Sequence, residues 1–547
     1  MEEEDIVGSP STVRTMATSL QPLLSNDTIS EQETFGPNNG IEIKNTSRGY
    51  SREGDQTNAD IETDAQLREA RYQPDASTAK DPNLVQWEGP SDPGNPMNWS
   101  LARKWYITIA ISCVAFLAMF SSSVFAPATR YTAEEYHVSE LVMTMGTSLV
   151  LLGFAFGPLI WAPLSEVYGR MTPLWVGFVG FTVFQIPVAT AHNAETILIF
   201  RFLIGIFGSS TGATIAGIIF DIWDPVTRGV GGAVFAVATF VGPVAGPILG
   251  SYIVESKLGW RGTAWLTFIF SGVCAIIGIT TIRETYAPVI LQRRAAQLRK
   301  STRNWALHSE LDEHMPTWVD LFTKYFSRPP QMLIKEPILL FMTIYIAVTY
   351  GMLYLFFFAY PISFLRDRGW KNAGVASLPL LGLSIGIIVG LGIIAYGTKT
   401  HFARKLKERG SVSPEDRLPE VIIGAVCLPI GLFWFSWTSS PEISWVAQAL
   451  AGIPIGAGII IIFLQGINYL IDVYMVLSNS AIAVNTFVRC ITAAAFPLFA
   501  VHMYEKLEVN WAGSLLGFLS LALVPLPILL YFYGARIRAM SRFQVKQ

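Results

Sequence analysis

Two arginines stand inside stretches of sequence that are otherwise apolar. Arg201 lies in "AETILIFRFLIGIFGSS" (194–210) and Arg489 in "AIAVNTFVRCITAAAFPLFA" (481–500). A charge inside a membrane costs about 2.5–3.5 kcal/mol even on insertion scales, so such a residue usually faces a cavity and has a function. Alternatively, an arginine close to a helix end can extend its side chain to the lipid headgroups without any further function. This applies to Arg201, which is near the start of its predicted span.

The carboxylates stand near the ends of the apolar runs. Asp221 closes the run that contains Arg201, and Glu166 closes another. For Asp221 the simpler alternative is a helix-end contact with Arg228. We find no metal-ligand cluster, no phosphate-binding loop and no nucleophile–base constellation, so the sequence predicts neither an enzyme nor a metal site. The four cysteines all lie in apolar runs, which indicates no disulfide framework, and no basic, aromatic-rich surface indicates nucleic-acid binding.

Long apolar segments must position these charges. Hydrophobic residues make up 51% of the 547 residues, charged residues only 15%, and the mean hydropathy is +0.41. Runs of about 18–25 residues, each long enough to cross a bilayer as a helix, recur from Lys104 onward. We predict an all-α polytopic membrane protein with twelve transmembrane helices, at 104–126, 142–163, 172–191, 195–220, 229–254, 263–283, 337–360, 375–396, 420–438, 445–470, 476–501 and 511–533.

Polar segments divide the chain into five parts. Residues 1–100 are acidic and polar and are predicted to form a disordered cytoplasmic tail. Two six-helix halves follow, at 101–284 and 336–534, joined by a cytoplasmic loop at 285–335 and followed by a C-terminal tail at 535–547. Lys and Arg concentrate in alternate loops, as in "RRAAQLRK" (293–300) and "RKLKER" (404–409). The positive-inside rule therefore predicts that both termini are cytoplasmic.

One predicted span combines regular glycines with two prolines, in "FVGPVAGPILGSY" (240–252). Gly242, Gly246 and Gly250 recur every four residues and line one helix face, where small residues let a neighbouring helix approach closely. Pro243 and Pro247 each remove a backbone hydrogen bond and bend the helix. We interpret this helix as a bent, close-packed element that still lets its partner helix pivot.

Several motifs together resemble one family. "GPVAGPILGS" (242–251) is similar to the antiporter signature of helix 5 in the drug:proton antiporters of the major facilitator superfamily, with Ser251 in place of its last glycine. "RFLIGIFGSS" (201–210) resembles the helix 4 signature. "APLSEVYGRM" (162–171) resembles the signature of the loop between helices 2 and 3, through Glu166, Gly169 and Arg170. "NPMNWSLARKW", "RETYAPVILQRRAAQLR", "PEDRLP" and "FPLFAVHMYEKL" resemble the fungal twelve-helix branch.

This resemblance implies a fold and a mechanism. It implies a major facilitator fold, built from repeats, with the substrate site between the halves. It also implies that the bent helix at 240–252 lies at the moving seam between the halves. It further implies an antiporter that exports drugs, xenobiotics or toxic metabolites in exchange for protons. This antiporter is expected to be monomeric, to lie in the plasma membrane and to need no cofactor. We hypothesise that Arg201 and Asp221 carry proton coupling as a mobile pair. The alternatives are export of polyamines by the same branch and, less in keeping with the antiporter signature, inward symport of a nutrient.

Aromatic and amide side chains are the candidates for the substrate cavity. They are Tyr350, Tyr354 and Phe358 on helix 7, Gln465 and Asn468 on helix 10, and Asn485 on helix 11. Tyr350 and Tyr354 share one helix face, although aromatic residues in membrane helices also face lipid. Because no acidic residue lies in mid-span, we expect small amphipathic or lipophilic substrates. A weak internal repeat, Arg201-x-x-x-Gly205 and Gln448-x-x-x-Gly452, occupies corresponding places in the two halves.

Overall fold

The computed structural model describes residues 81–224, 227–313, 317–409 and 413–541, and these residues are almost entirely helical. Within them, the β pairing is a single isolated bridge between Leu84 and His308. In this described part of the chain, eleven continuous helical segments are long and apolar enough to cross a membrane. The predicted all-α polytopic fold is confirmed.

The first half contains six long helices, whose bounds agree with the predicted spans to within a few residues. They are α1 (Leu101–Ser123), α2 (Glu140–Val167), α3 (Met171–Ala189), α4 (Ala194–Ile222), α5 (Arg228–Glu255) and α6 (Arg261–Thr281). A short helix, Thr129–Tyr136, follows α1. Polar side chains fix several helix starts. Asn193, for example, accepts a hydrogen bond from the backbone of Thr196 at 3.0 Å and so caps α4.

The second half begins with four separate spans and ends with one double span. The separate spans are α7 (Pro337–Pro361), α8 (Ala373–His401), α9 (Pro414–Trp437) and α10 (Trp445–Tyr474). The last segment, Ser478–Ala539, has 62 residues, whereas about 20 cross a bilayer. It breaks at Glu508, whose backbone is non-helical (φ 57°, ψ 168°). We therefore treat residues 478–507 as α11 and residues 509–539 as α12, which match the last two predicted spans.

Two hydrophobic cores support this bundle. One lies entirely within the first half, between Ile107 and Ile282. The other fills the second half and also includes Val150 and Phe154 of α2 and Phe240 of α5. The second core therefore extends across the boundary between the halves through α2 and α5.

The loop between the halves is itself helical, which the sequence analysis did not predict. It contains helices at Ala287–Thr302, Glu310–Glu313, Trp318–Phe322 and Arg328–Lys335, with a π-helical turn at Thr323–Ser327. We call residues 287–335 the linker. The end of the bundle where α6 meets it is the linker end, and the opposite end is the far end.

Part of the predicted N-terminal tail packs against this linker. Asp92 accepts a hydrogen bond from Arg294 at 2.7 Å, Glu88 pairs with the same arginine, and the backbone N–H of Val85 donates to His308 at 2.8 Å. The prediction of disorder up to residue 100 is therefore wrong for residues 81–100. The remainder of that prediction falls on residues 1–80, outside the described residues.

Candidate functional site

Four aromatic rings from both halves meet in the middle of the bundle. Phe240 of α5 lies 4.7 Å from Phe463 of α10 and 6.2 Å from Tyr350 of α7, between ring centroids. Tyr350 lies 5.4 Å from Tyr354, one turn along α7. We call these four residues the aromatic cluster. The sequence singled out the two tyrosines by their spacing, but Phe240 and Phe463 are two among 34 phenylalanines and carry no comparable signal.

Arg489 of α11 lies against this cluster. Its guanidinium carbon is 4.6 Å from the centre of the Tyr350 ring and 4.7 Å from that of Phe463. Its Nε is buried and has no hydrogen-bond partner within the described chain. The two aromatic faces stabilise the cation through their quadrupoles. The structure thus places one of the two arginines noted in the sequence against Tyr350, which in turn contacts Tyr354.

Arg201 has a different environment at the far end of α1. It is 2% exposed, and its guanidinium donates to the backbone carbonyls of Gly146 (2.9 Å), Ser121 (3.0 Å) and Ser122 (3.4 Å). Ser121 and Ser122 lie in the last turn of α1, where carbonyls lack intrahelical partners and carry the negative end of the helix dipole. Arg201 therefore caps α1 and ties it to α2 and α4.

A hydrogen bond connects this cap to the aromatic cluster. Ser122 Oγ lies 2.9 Å from the Tyr354 hydroxyl, and both groups are buried. Ser122 belongs to the first half and Tyr354 to the second. The contact therefore links the halves between the capped end of α1 and the centre of α7.

Arg201 and Asp221 do not form the pair that the sequence analysis hypothesised. They lie twenty positions apart along α4, which corresponds to about 30 Å at the rise of an α-helix. Asp221 instead pairs with Arg170, at 3.4 Å, and accepts from Thr285 Oγ1 at 3.4 Å. The alternative partner, Arg228, donates to the backbone carbonyls of Phe220 and Trp223. Helix geometry therefore excludes direct contact between the two proposed coupling residues in this structure.

Glu284, which the sequence analysis did not single out, organises the loop between α2 and α3. Its carboxylate accepts from the backbone N–H groups of Arg170 (2.9 Å) and Met171 (3.3 Å). Gly169 precedes them with φ +88°, and a Cβ there would lie 2.5 Å from Glu284 Oε2. Glycine is required for both the conformation and the space. Arg170 also stacks over Tyr286, at 4.6 Å, so the loop is fixed to the start of the linker.

Glu166 connects the same loop to the second half. It pairs with Lys324 Nζ at 2.7 Å and accepts from the Tyr325 hydroxyl at 2.7 Å. Burial and the neighbouring Glu166 carboxylate raise the pKa of Tyr325 above its usual range, so the phenol stays protonated and donates. Ser480 of α11 donates to the Lys324 carbonyl at 3.3 Å. The linker thereby joins α2 to α11 at the linker end.

The glycine face of α5 packs against α1, within the same half. A Cβ at Gly242 would lie 2.8 Å from the Phe116 carbonyl oxygen, at Gly246 2.8 Å from the Val124 nitrogen, and at Gly250 2.5 Å from the Val124 carbonyl oxygen. These glycines therefore pack inside the first half, whereas the opposite side of α5 faces the second half. Close approach of two backbones inside the first half explains their spacing.

The prolines of α5 leave a carbonyl that a neighbouring helix satisfies. Pro247 has no N–H, so the Pro243 carbonyl loses its intrahelical donor. The hydroxyl of Ser123 in α1 donates to that carbonyl at 2.7 Å. α5 remains one helix from Arg228 to Glu255. On the opposite side it does reach the second half, where Ser251 Oγ lies 2.9 Å from Ser377 Oγ of α8.

The structure places the remaining substrate candidates outside the aromatic cluster. Gln465 donates to Glu420 of α9, and Asn468 donates to Gln465 at 3.0 Å, so both amides lie at the α9–α10 interface. Asn485 donates to Thr343 Oγ1 of α7 at 3.3 Å, one turn from Arg489. Phe358 is buried one turn beyond Tyr354 on α7. Asn485 and Arg489 are four positions apart on α11 and therefore lie on the same helix face.

The internal repeat noted in the sequence has matching contacts in both halves. Gln448 donates to Ser363 Oγ near the end of α7 at 2.7 Å, as Arg201 donates to the end of α1. A Cβ at Gly205 would meet the backbone of α2, and one at Gly452 would meet the backbone of α8. α4 therefore packs in its half as α10 packs in the other.

A small polar cluster lies on the linker, where no metal site was predicted. Asp81, His308 and Glu313 have side-chain ligand atoms within 4.8 Å of one another, and His308 Nε2 lies 2.7 Å from Glu313 Oε1. The Ala306 carbonyl and these two carboxylates raise the pKa of His308. The same contacts make this an ion-paired group that fastens residue 81 to the linker.

Comparisons with known proteins agree with this architecture. Residues 111–497 match the family model described as Major Facilitator Superfamily. The chain is 54% identical over 497 residues to the citrinin biosynthesis cluster MFS transporter of Monascus ruber, which covers 90% of this chain and 99% of the relative. It is 53% identical to the ascochitine biosynthesis cluster MFS transporter of Didymella fabae (85% and 90% covered). It is 44% identical to the cercosporin MFS transporter of Cercospora nicotianae (84% and 90% covered).

A solved structure also has the same fold. The chain matches a crystallised peptide transporter, POT, with a TM-score of 0.55 and 12% sequence identity, over 82% of this chain and 98% of the other.

Proposed function

Because the chain belongs to the major facilitator superfamily, we propose that it exports small secondary metabolites from the cell in exchange for protons. The relatives named for citrinin, ascochitine and cercosporin support this class of cargo. The termini lie in the cytoplasm, the membrane is the plasma membrane, and the carrier acts as a monomer. Drugs and other xenobiotics of similar chemistry are secondary substrates.

The aromatic cluster is the observation that carries the proposal. Its rings come from α5, α7 and α10, and so from both halves, and transporters of this architecture bind substrate near the midplane between their repeats. Apolar and aromatic walls with few polar groups suit a small amphipathic molecule. Tyr350 and Tyr354 form its wall on α7.

Proton coupling is assigned to Asp221, with Arg170 in place of Arg201 as its partner. The two side chains are 3.4 Å apart and less than one-fifth exposed. An ion pair that opens and closes between conformations changes the proton affinity of its carboxylate. Arg201 is assigned a positioning role, because its bonds to α1 hold Ser122 against Tyr354.

The charge in the centre of the bundle argues against the polyamine alternative. Polyamines are polycations, whereas the ionised side chain that contacts the aromatic cluster is Arg489. Like charges in a low-dielectric site repel strongly. Inward nutrient symport would move its substrate into the cell rather than out of it. Measuring the direction of transport distinguishes it from the proposed export.

The test is transport by purified protein in liposomes with an imposed pH gradient. We expect citrinin, measured by mass spectrometry after rapid filtration, to accumulate against its gradient and to stop doing so when a protonophore is added. Asp221→Asn is expected to lose gradient-driven accumulation by at least about tenfold but to retain exchange of labelled for unlabelled citrinin, because exchange needs no net proton movement.

Glu134→Gln, at an exposed ion pair with Arg130, is the matched control and is expected to behave as wild type. If neither the protonophore nor Asp221→Asn changes the accumulation of citrinin, the proposed coupling to protons is refuted. If neither citrinin nor any other aromatic metabolite in a test panel is accumulated or exchanged, the export proposal itself is wrong.

A further inference from the structure

Arg489 holds a positive charge near the middle of the membrane. Eleven residues separate it from the start of α11, which corresponds to roughly 17 Å of helix in a hydrocarbon core about 30 Å thick. Its neighbours Tyr350 and Phe463 are apolar on the faces they present. The headgroups are out of reach of its side chain from this depth, so the charge must be stabilised inside the bundle.

The described chain supplies no anion to do so. Arg489 forms no ion pair among the described residues, and its buried Nε lacks a hydrogen-bond acceptor there. The contacts it makes are the two ring faces. These cation–π contacts compensate only part of the cost of desolvating the buried side of the guanidinium, because the Nε–H still lacks an acceptor.

By comparison, two other arginines in the bundle, Arg201 and Arg368, have several acceptors each. Arg201 has three backbone carbonyl acceptors. Arg368, near the far end, donates to Gln448 and to the carbonyls of Ile443 and Thr438. The fold therefore provides acceptors for the guanidinium groups of Arg201 and Arg368, and it provides none for the Nε of Arg489 at the aromatic cluster. An open donor set at a ligand-binding position indicates an acceptor that arrives with the ligand.

A second unpartnered group lies one turn away. Asn485 Oδ1 is buried without a hydrogen-bond partner in the described chain, while its Nδ2 donates to Thr343. Positions four apart on a helix share a face. Arg489 and Asn485 therefore present an unfilled donor and an unfilled acceptor side by side, next to the ring faces of Tyr350 and Phe463.

We propose that Arg489 is the anion-binding group of the substrate site, and that the carrier's preferred substrates are planar aromatic acids, ionised at neutral pH. The acid group accepts hydrogen bonds from the guanidinium, and arginine suits a carboxylate because its N–H groups match both oxygens. The aromatic body packs against the rings of the cluster, and a hydroxyl next to the acid donates to Asn485 Oδ1. This inference rests on the proposed export function and narrows its substrate class.

The test compares two probes that differ only in charge. 7-(Diethylamino)coumarin-3-carboxylic acid and its carboxamide share one fluorescent body, and their binding to purified protein in nanodiscs is followed by fluorescence anisotropy. We expect wild type to bind the acid at least about tenfold more tightly than the amide, since charge-assisted hydrogen bonds exceed neutral ones by that margin. Arg489→Gln should remove the preference, and Arg489→Lys should restore part of it.

Arg130→Gln, an exposed arginine of an i,i+4 pair, is the control and should keep the preference. Folding of each variant is checked by its thermal unfolding midpoint, and the wild-type comparison of acid with amide requires no variant at all. Equal binding of the two probes to wild type, binding of neither, or an unchanged preference in Arg489→Gln overturns the anion site. The export proposal survives any of these results if citrinin is still transported, and so the two failures are distinguishable.

Discussion

At the scale of single residues, the two arginines inside apolar spans show that equal sequence signals lead to different environments. Both interrupt apolar runs, and that interruption identified them. Arg201 is bonded to the main chain at the end of α1, whereas Arg489 faces aromatic rings with its donors unfilled. The surroundings of each arginine depend on its helix face and on the side chains and carbonyls of the helix packed against that face. The local sequence around the arginine specifies neither of these.

Gly246 gives a prediction at this scale. Gly246→Ala should destabilise the protein by about 1–3 kcal/mol, because the new Cβ would lie 2.1 Å from Ser123 Oγ and 2.8 Å from the Val124 nitrogen. Gly232→Ala in the same helix is the matched control, since nothing lies within 4 Å of its Cβ position. Thermal unfolding of the detergent-purified variants, followed by tryptophan fluorescence, measures the difference. Equal midpoints would contradict the packing of α5 on α1.

The candidate site could be predicted only in part, for a physical reason. Charges and paired aromatics in apolar spans are rare, so Arg201, Arg489, Tyr350 and Tyr354 stood out. Phe240 and Ser122 are ordinary residues for a membrane helix, and only tertiary contacts give them a place in the site. Glu284 lies just beyond the end of α6, where carboxylates are common, and its acceptor role depends on a loop more than a hundred residues away.

At the scale of elements, the length of the apolar runs predicted the membrane spans well, but it could not predict the short helices of the linker. Each of the twelve predicted runs corresponds to a helix. An apolar segment of about 20 residues that crosses a bilayer must satisfy its backbone hydrogen bonds internally, and a helix does so. The helices of the linker are short and polar, without the long apolar periodicity that identifies a span. The docking of residues 81–100 depends on partners such as Arg294, about two hundred positions away.

The docked segment gives a prediction about pH. The pKa of His308 is raised in the folded protein, so its contribution to docking is complete below about pH 6.5, the ordinary histidine value, and is lost as the pH rises through the raised pKa. A nitroxide label at Asn83→Cys, with the four natural cysteines replaced, should be immobile in acid and gain mobility with rising pH. Electron paramagnetic resonance measures this mobility.

His308→Gln is the comparison for this titration. It keeps a polar side chain but cannot take up a proton, so its label should be equally mobile across the range. A wild-type label whose mobility does not change with pH would show that the ion pairs with Asp81 and Glu313 do not hold the segment.

At the scale of the whole molecule, contacts between the halves occur at both ends. Ser251 meets Ser377 at the far end, while Glu166, Lys324 and Ser480 connect the halves at the linker end. A carrier that alternates its access must break one set of contacts in each half-cycle. One hydrophobic core includes side chains of both halves, so the halves also contact each other between these two ends.

A crosslink between α5 and α8 tests this requirement. The two serine hydroxyl oxygens are 2.9 Å apart, so cysteines at both positions can come within disulfide range. In a background without the four natural cysteines, Ser251→Cys combined with Ser377→Cys should lose transport by at least about tenfold on oxidation and regain it on reduction. The Ser251→Cys single variant, treated identically, should stay active. Full transport in the oxidised double variant would show that the far end does not need to open.

The open donor set of Arg489 has a consequence for the energetics of the transport cycle. With an ionised acid bound, the central site is electrically neutral, and without it the site carries one positive charge. When access switches from one side of the membrane to the other, the empty site's charge crosses part of the transmembrane field, and a full crossing corresponds to about 2.3 kcal/mol per 100 mV. A negative-inside membrane potential therefore favours return of the substrate-free, proton-loaded carrier to its inward-facing state, because its binding site carries a net positive charge.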